Sequence, residues 1–339
     1  MYKAAAMFTC PICNHTKAEI LYNHVKDHYG FVQREYQFWQ CANCRSAILH
    51  PLPSYEETLS FYPANYVFKV KKAEKGPRRL LARLEWCLFY RLIYGQRVRS
   101  LMKMTHLKSG RILDVGCGSG LTLKMLAGKG FDVEGIDVSA ESVTYAEQNL
   151  GIKVFQGTLK EADFPRGSFD VVTLHYVLEH VPDPFETICQ VSKILKPGGW
   201  IALGVPLIDS PQAVFLKDKW SGIKEAPRHI CMPTSAGMKA LLKRAGFNEV
   251  RESSVSVLDL AGFIALSFYP ASAMTLASTG MRGLFRRVLG GIILCFALPI
   301  AFAERFLRLV DRPCGAMIFY GKKPLEAGNP SSKGFPSQG

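Results

Sequence analysis

From residue 111 onward the hydrophobic residues gather in short runs. Segments 111–115, 132–136, 153–155, 169–174 and 200–205 are rich in Val, Ile and Leu, with few polar positions inside them. Runs this short and continuous fit strands covered on both faces. Stretches with helical spacing, roughly ten to fifteen residues long, separate them. That alternation predicts a parallel sheet with helices on both sides, an α/β doubly wound fold. Two more strands are expected at 249–257 and 316–321. Between these two lie some fifty-five residues, 258–312, which hold the strongly apolar segments 260–277 and 288–303.

The front of the chain follows a different pattern. Tyr29, Phe31, Tyr36, Phe38 and Trp39 suit the strands of a small ribbon. Leu80, Leu81, Leu84, Leu88, Leu92 and Tyr94 interleave with cations and predict a basic amphipathic helix. Residues 324–339 are rich in Gly, Pro and Ser, so a disordered tail is expected.

The most informative stretch is Asp114-Val-Gly116-Cys-Gly118-Ser-Gly120. It reads as a buried strand running into a glycine turn and then a helix. Gly116 and Gly118 let the backbone bend tightly and approach a ligand that a β-carbon would block. Free N–H groups at the start of the helix can face a polar or negative group. About twenty residues on, a second strand ends in Asp137, whose carboxylate can accept both hydroxyls of a ribose. A dinucleotide loop has Gly-x-Gly-x-x-Gly; here the spacing is Gly-x-Gly-x-Gly, and Asp114 stands beside it. That carboxylate would repel a pyrophosphate but can hold an ammonium. S-adenosylmethionine has an amino-acid ammonium, a cationic sulfur and no phosphate.

In its motifs the chain resembles the class I S-adenosylmethionine-dependent methyltransferases, over roughly residues 107–323. Leu113-Asp-Val-Gly-Cys-Gly-Ser-Gly120 is similar to the first motif of that family, and Gly135-Ile-Asp137-Val-Ser to the second. Phe169-Asp-Val-Val-Thr-Leu174 with Leu178-Glu-His-Val181 is similar to the fourth strand and its turn. Leu195-Lys-Pro-Gly-Gly199 with the run to Pro206 is similar to the fifth strand. The resemblance implies a Rossmann-like seven-stranded sheet. It also implies cofactor contacts from Asp114, Gly116, Cys117, Gly118, Asp137, Val138, Thr158, Leu159 and His175. Many relatives place an acid after the third strand, against the adenine amino group. Here the run is Gln156-Gly-Thr158-Leu159, so a hydroxyl replaces it, and Asp163 is a substitute slightly later.

Ten cysteines occur in the chain, and four of them are paired by spacing. Cys10-Pro-Ile-Cys13 and Cys41-Ala-Asn-Cys44 are two C-x-x-C knuckles, which predict a structural Zn²⁺ held by four thiolates. Four protein ligands leave the metal no open position for catalysis. The other cysteines lie among apolar neighbours and read as reduced thiols, consistent with a reducing compartment. The first residues also lack the apolar core of a secretory signal, which points to the cytoplasm. The expected divisions are therefore 1–54 zinc ribbon, 55–106 linker and basic helix, 107–257 methyltransferase core, 258–312 apolar helical insertion, 313–323 last strand, and 324–339 tail.

The formal net charge is +14, and it is concentrated. Residues 69–111 hold thirteen cations against Glu74 and Glu85, a local excess of about +11. Such a helix can lie on anionic lipid. The apolar insertion favours the same partner. A bilayer span needs about 20 apolar residues. The second run is shorter, and Pro270 and Pro299 interrupt the two runs. A spanning hairpin would also translocate Arg282, Arg286 and Arg287, against the positive-inside tendency. A hairpin wetting one leaflet is the expectation, with a protein peripheral on the inner membrane face.

Methyl transfer from a sulfonium is an in-line displacement that rests on positioning the acceptor. A hydroxyl acceptor also needs a base. His175, at the end of the fourth strand, and His229, in Pro227-Arg-His229 after the fifth, are the candidate catalytic residues. Trp220 and Arg228 share the second loop and are expected to line the pocket. The reading is O-methylation of a small, lipid-linked or glycan-type acceptor, with nucleic acid disfavoured as a partner. The alternatives are an RNA methyltransferase using ribbon and basic helix, and a non-catalytic zinc-ribbon scaffold.

Overall fold

The computed structural model describes residues 8–62, 78–268, 281–307 and 313–325. Most of the expected linker (63–77), the segment around Pro270 and most of the tail (326–339) lie outside the described residues.

In chain order the strands are β1 (Ala18–Lys26), β2 (Glu35–Cys41), β3 (Ala47–His50), β4 (Arg111–Val115), β5 (Asp132–Asp137), β6 (Val154–Gln156), β7 (Phe169–His175), β8 (Leu195–Pro206), β9 (Cys231–Met232), β10 (Glu249–Ser254) and β11 (Ala316–Lys322). The helices are α1 (Tyr55–Ser60), α2 (Arg78–Thr105), α3 (Leu121–Ala127), α4 (Ala140–Tyr145), α5 (Leu159–Ala162), α6 (Pro184–Ile194), α7 (Pro211–Leu216), α8 (Ser221–Lys224), α9 (Ser235–Arg244), α10 (Val257–Phe268) and α11 (Met281–Leu307).

Seven strands form the main sheet in the order β10-β11-β8-β7-β4-β5-β6. β4, β5, β6, β7 and β8 run parallel, and β11 is antiparallel to both β8 and β10. Ile112, Leu113, Val171, Val172, Leu203 and Ile318 are fully buried along these strands, as a doubly covered sheet requires. The chain order reverses at β4, which lies between β5 and β7. The crevice at their carboxyl ends is where such sheets bind ligands.

Local chemistry sets the boundaries. Asp183 caps α6 by accepting from Glu186 N at 2.9 Å, and Pro184 opens the helix. The expected strand 249–257 stops at Ser254, because Ser256 accepts from Asp259 N at 3.0 Å and starts α10. The two apolar segments of the insertion contribute to α10 and α11. α11 packs on α10 with Ala297, Ala301 and Glu304 buried, while Phe296 and Phe306 are 73% and 71% exposed.

The ribbon is not a free-standing module. Its sheet has the order β1-β2-β3-β9, and β9 comes from the loop after β8. Thr234 caps α9 by accepting from Gly237 N at 2.9 Å and donates its own hydroxyl to Cys44 O at 2.7 Å. One side chain thus starts a core helix and holds a cysteine knuckle.

Candidate active site

The glycine loop leaves β4 and folds back on the end of β5. Gly116 N and Cys117 N donate to Ile136 O at 2.8 and 3.0 Å. Gly118 N donates to Asp137 Oδ2 at 2.7 Å, and Ser139 N to Asp137 Oδ1 at 2.9 Å. Gly116 has φ +70°, and a β-carbon on it would lie 2.4 Å from Val177 Cγ2. Glycine is therefore required there on two counts, backbone conformation and space.

Asp114 is buried and accepts from Thr173 Oγ1 at 2.5 Å. Burial raises its carboxyl to about 6, against the pull of the Thr173 bond and of Arg97. Burial also raises the Asp137 carboxyl, opposed by its two backbone donors. The loop is thus flanked by two carboxylates for which a cationic ligand is the natural partner.

The other expected cofactor residues fall into different roles. Cys117 turns its thiol toward Gly135 and Leu123, so it reaches the loop surface only through its backbone. Val138 is exposed beside Asp137, and Leu159 is partly buried at the start of α5. Thr158 caps α5: its hydroxyl accepts from Glu161 N at 3.2 Å and donates to Glu161 Oε2 at 2.8 Å. That capping box was readable in the sequence as Thr-x-x-Glu.

His175 ends β7, and Gly204 on β8 makes room for it: a β-carbon there would lie 2.5 Å from His175 Nδ1. Burial and the nearby Arg97 charge hold His175 well below the usual imidazole range, so it is neutral at pH 7. His229 is buried and donates Nδ1–H to Gly222 O at 2.7 Å. Burial lowers its basicity too. The histidine grouped with it is His180, whose ring centroid is 4.8 Å away and whose Nδ1 donates to Arg228 O at 3.0 Å. Tyr62 OH is 2.9 Å from the same Nδ1. With Glu179 these rings offer a carboxylate and two imidazole nitrogens within 4.8 Å of one another, a set able to hold a proton or a cation. Glu179 Oε2 is buried without a partner, and burial raises its carboxyl to about 8.

Trp220 and Arg228 do not line an open pocket, contrary to expectation. Both are fully buried. Trp220 donates to Gln212 Oε1 at 3.0 Å, and Arg228 pairs with Asp27 of the ribbon at 2.7 Å.

Arg97 was missed as a site residue because it sits within a basic run. Its guanidinium pairs with Asp259 at 3.3 Å and lies 5.2 Å from the centres of the Tyr94 and Tyr176 rings. It is the cation acting on both Asp114 and His175. The signal available in sequence was its place on the α2 face that buries Gly95, Val98 and Leu101.

At the ribbon, Cys10 and Cys44 Sγ are 3.6 Å apart, Cys13 and Cys41 Sγ 3.5 Å, and all four lie within 4.8 Å of one another. Tetrahedral Zn–S bonds of about 2.3 Å place the sulfurs about 3.8 Å apart, so the four thiols fit such an ion.

A sheet in this order, with a glycine loop clasped by an acid at the end of the next strand, defines the class I S-adenosylmethionine-dependent methyltransferase fold. Residues 89–252 match the family described as "Methyltransferase domain". It is 42% identical over 102 residues to a ubiquinone biosynthesis O-methyltransferase of Burkholderia vietnamiensis, covering 28% of this chain and 44% of that one. It is 37% identical over 111 residues to the protein of the same name from Thiobacillus denitrificans, covering 31% and 48%. The chain thus matches less than half the length of these curated relatives. Among solved structures it is similar to a SAM-dependent methyltransferase from Thermotoga maritima, at 17% identity and a TM-score of 0.45, covering 73% of this chain and 97% of that one.

The close approach at Gly116 yields a direct test. Gly116→Ala should weaken S-adenosylhomocysteine binding at least about tenfold by calorimetry, since it adds both a clash and a strained φ. Unchanged affinity would remove the loop from the cofactor site.

Proposed function

We propose that this protein transfers the methyl group of S-adenosylmethionine to a hydroxyl oxygen of a small or lipid-linked acceptor at an anionic membrane surface. The observation that carries this reading is the pair of carboxylates at the glycine loop. Asp114 is placed to receive the amino-acid ammonium, and Asp137 the ribose hydroxyls. Gly116, Gly118, Cys117, Val138, Thr158 and Leu159 surround the nucleoside through backbone and apolar contact. The donor supplies an activated methyl group; the chain binds it, orients the acceptor and takes the acceptor proton.

For the proton, His229 is the better placed of the two candidates. Its Nδ1–H is committed to Gly222 O, so Nε2 keeps its lone pair. His175 is neutral as well and stays as a cofactor contact or second base. The names of the curated relatives support oxygen as the target atom. The four thiols of Cys10, Cys13, Cys41 and Cys44 hold a structural Zn²⁺ in this reading.

The apolar surface supports the membrane side of the proposal. Ile292, Phe296, Ile300, Phe302 and Phe306 of α11 are exposed, as are Phe268 of α10 and Phe215 of α7. Exposed apolar faces of this kind mark protein or membrane interaction sites. Residues Leu289–Phe306 are apolar and long enough to cross a bilayer by length and composition. However, α11 is pinned from its other side. Buried Glu304 accepts from Gln212 Nε2 at 2.6 Å, and Gln212 in turn accepts from Trp220. A helix held this way suits lying on one leaflet. Exposed Arg91, Arg99 and Lys103 of α2 supply cations for anionic headgroups.

Two outcomes are expected. Incubated with labelled donor and a membrane extract from the source, the protein should label a small or lipid-soluble product. His229→Ala should lower that rate by about a hundredfold with cofactor affinity held; full activity would remove it as the base. Separately, Phe296→Ser with Phe306→Ser should reduce cosedimentation with phosphatidylglycerol vesicles at least about fivefold, since each buried phenyl contributes about 2 kcal/mol. Unchanged sedimentation would end the docking reading.

A further inference from the structure

Arg228 lies between the ribbon and the acceptor side of the sheet. Its guanidinium and the Asp27 carboxylate are both fully buried. They meet through two bonds, Nη2 to Oδ1 at 2.7 Å and Nη1 to Oδ2 at 3.2 Å, and Nε donates to Glu225 Oε2 at 3.2 Å. Tyr29 and Phe31 cover the guanidinium, with ring centres 4.9 and 5.8 Å away. Asp27 also accepts from the backbone of Tyr29, Phe31 and Val32 at 2.9–3.0 Å, so the segment between β1 and β2 wraps this one carboxylate.

The backbone of the same arginine does something else. Arg228 O accepts from His180 Nδ1, and the next residue, His229, donates to Gly222 O. A carbonyl only accepts, so a ring bonded to one carries its proton on Nδ1 and keeps the Nε2 lone pair; at His180 the Tyr62 hydroxyl then accepts from the same Nδ1–H. The segment that carries these contacts is joined to the ribbon further along, where β9 pairs with β3. Leu49 N donates to Ile230 O at 2.8 Å, and Thr234 donates to Cys44 O beside the cysteine knuckle.

We propose that Arg228 is a positioning residue through which the ribbon holds the imidazoles of His180 and His229 in one tautomer and one place, making the cysteine-bound metal a part of the acceptor site's framework. The inference deepens the methyl-transfer reading and rests on it only for the role given to His229. A buried ion pair adds little stability over well-packed apolar residues, but a bidentate one fixes geometry closely. An interaction of that kind at the base of a reactive loop is suited to positioning.

The test uses the full chain with ¹⁵N-labelled histidine, read by long-range imidazole spectra, together with calorimetry against S-adenosylhomocysteine and zinc content. Asp27→Asn breaks the pair. Asp27→Leu combined with Arg228→Met replaces it by apolar groups and guards against simple misfolding from a stranded charge. The expected result for the double variant is cofactor affinity within about threefold of the parent, with the fixed Nδ1–H signals of His180 and His229 lost to averaging. Removing the metal from the parent protein with a chelator should produce the same spectral change. Where methyl transfer is measured with the labelled extract, the turnover rate falls at least about tenfold with donor KM unchanged. Unchanged imidazole spectra in both the double variant and the metal-stripped protein would overturn the proposal. So would loss of cofactor affinity in step with the spectra, which marks a general structural role. The spectra report the coupling even if His229 proves not to be the base, so the two ideas fail separately.

Discussion

Asp137 accepts from Gly118 N, which joins the end of β5 to the loop that leaves β4, and from Ser139 N, which fixes its own carboxylate at the start of α4. Hydrogen bonds of a backbone N–H to a carboxylate contribute about 1.5–3 kcal/mol each, more than a neutral pair. Its glycines offer no side chains, so the loop is otherwise fixed through its backbone, by Gly116 N and Cys117 N on Ile136 O. Gly116 sits against Val177 with no room for a β-carbon, which fixes the loop against the segment after β7. The site is therefore a crevice between three strand ends whose walls are set by backbone geometry. Asp114 then stands at its base, buried and short of positive charge except for Arg97.

Much of this was legible in the sequence, because it is local. β4, β7 and β8 are buried on both faces, so their sequences are short apolar runs without alternation, and the glycines and acids that follow them act within a few residues. The paired cysteines were equally plain, and their sulfurs converge as the spacing required. What escaped was long-range. Arg97 meets Asp259 across 162 positions, and Arg228 meets Asp27 across 201. Arg97 stands in sequence among surface cations, and nothing local to Arg228 announces the distant carboxylate folded against it. β9 is only two residues long, Cys231–Met232, and carries no period that could announce a strand. Trp220 and Arg228 were assigned to a pocket wall because of the loop they occupy, and they turned out to be that loop's internal supports.

These supports change the picture of how the parts relate. Ribbon, acceptor-side loop and apolar helix meet around one short stretch of chain. Arg228 ties it to the ribbon, Trp220 and Gln212 connect it to Glu304 of α11, and Ser221 bonds to Ser267 of α10 at 2.8 Å. This stretch stands beside the turn after β7, where Ile230 N donates to Glu179 O at 2.8 Å.

The central claim is that the crevice holds a sulfonium nucleoside through Asp114 and Asp137 and rejects a phosphate-bearing coenzyme. Calorimetric titration of the purified protein with S-adenosylmethionine and with NAD, repeated across pH, tests it most directly. Asp114 loses its charge as pH falls through about 6, and its neighbours Thr173, Arg97 and Asp137 do not replace that charge. Binding of S-adenosylmethionine should be full above that pH and weaken below it, with no detectable NAD binding at any pH. Tight NAD binding, or S-adenosylmethionine affinity that stays constant from pH 8 to about pH 5, would contradict the account.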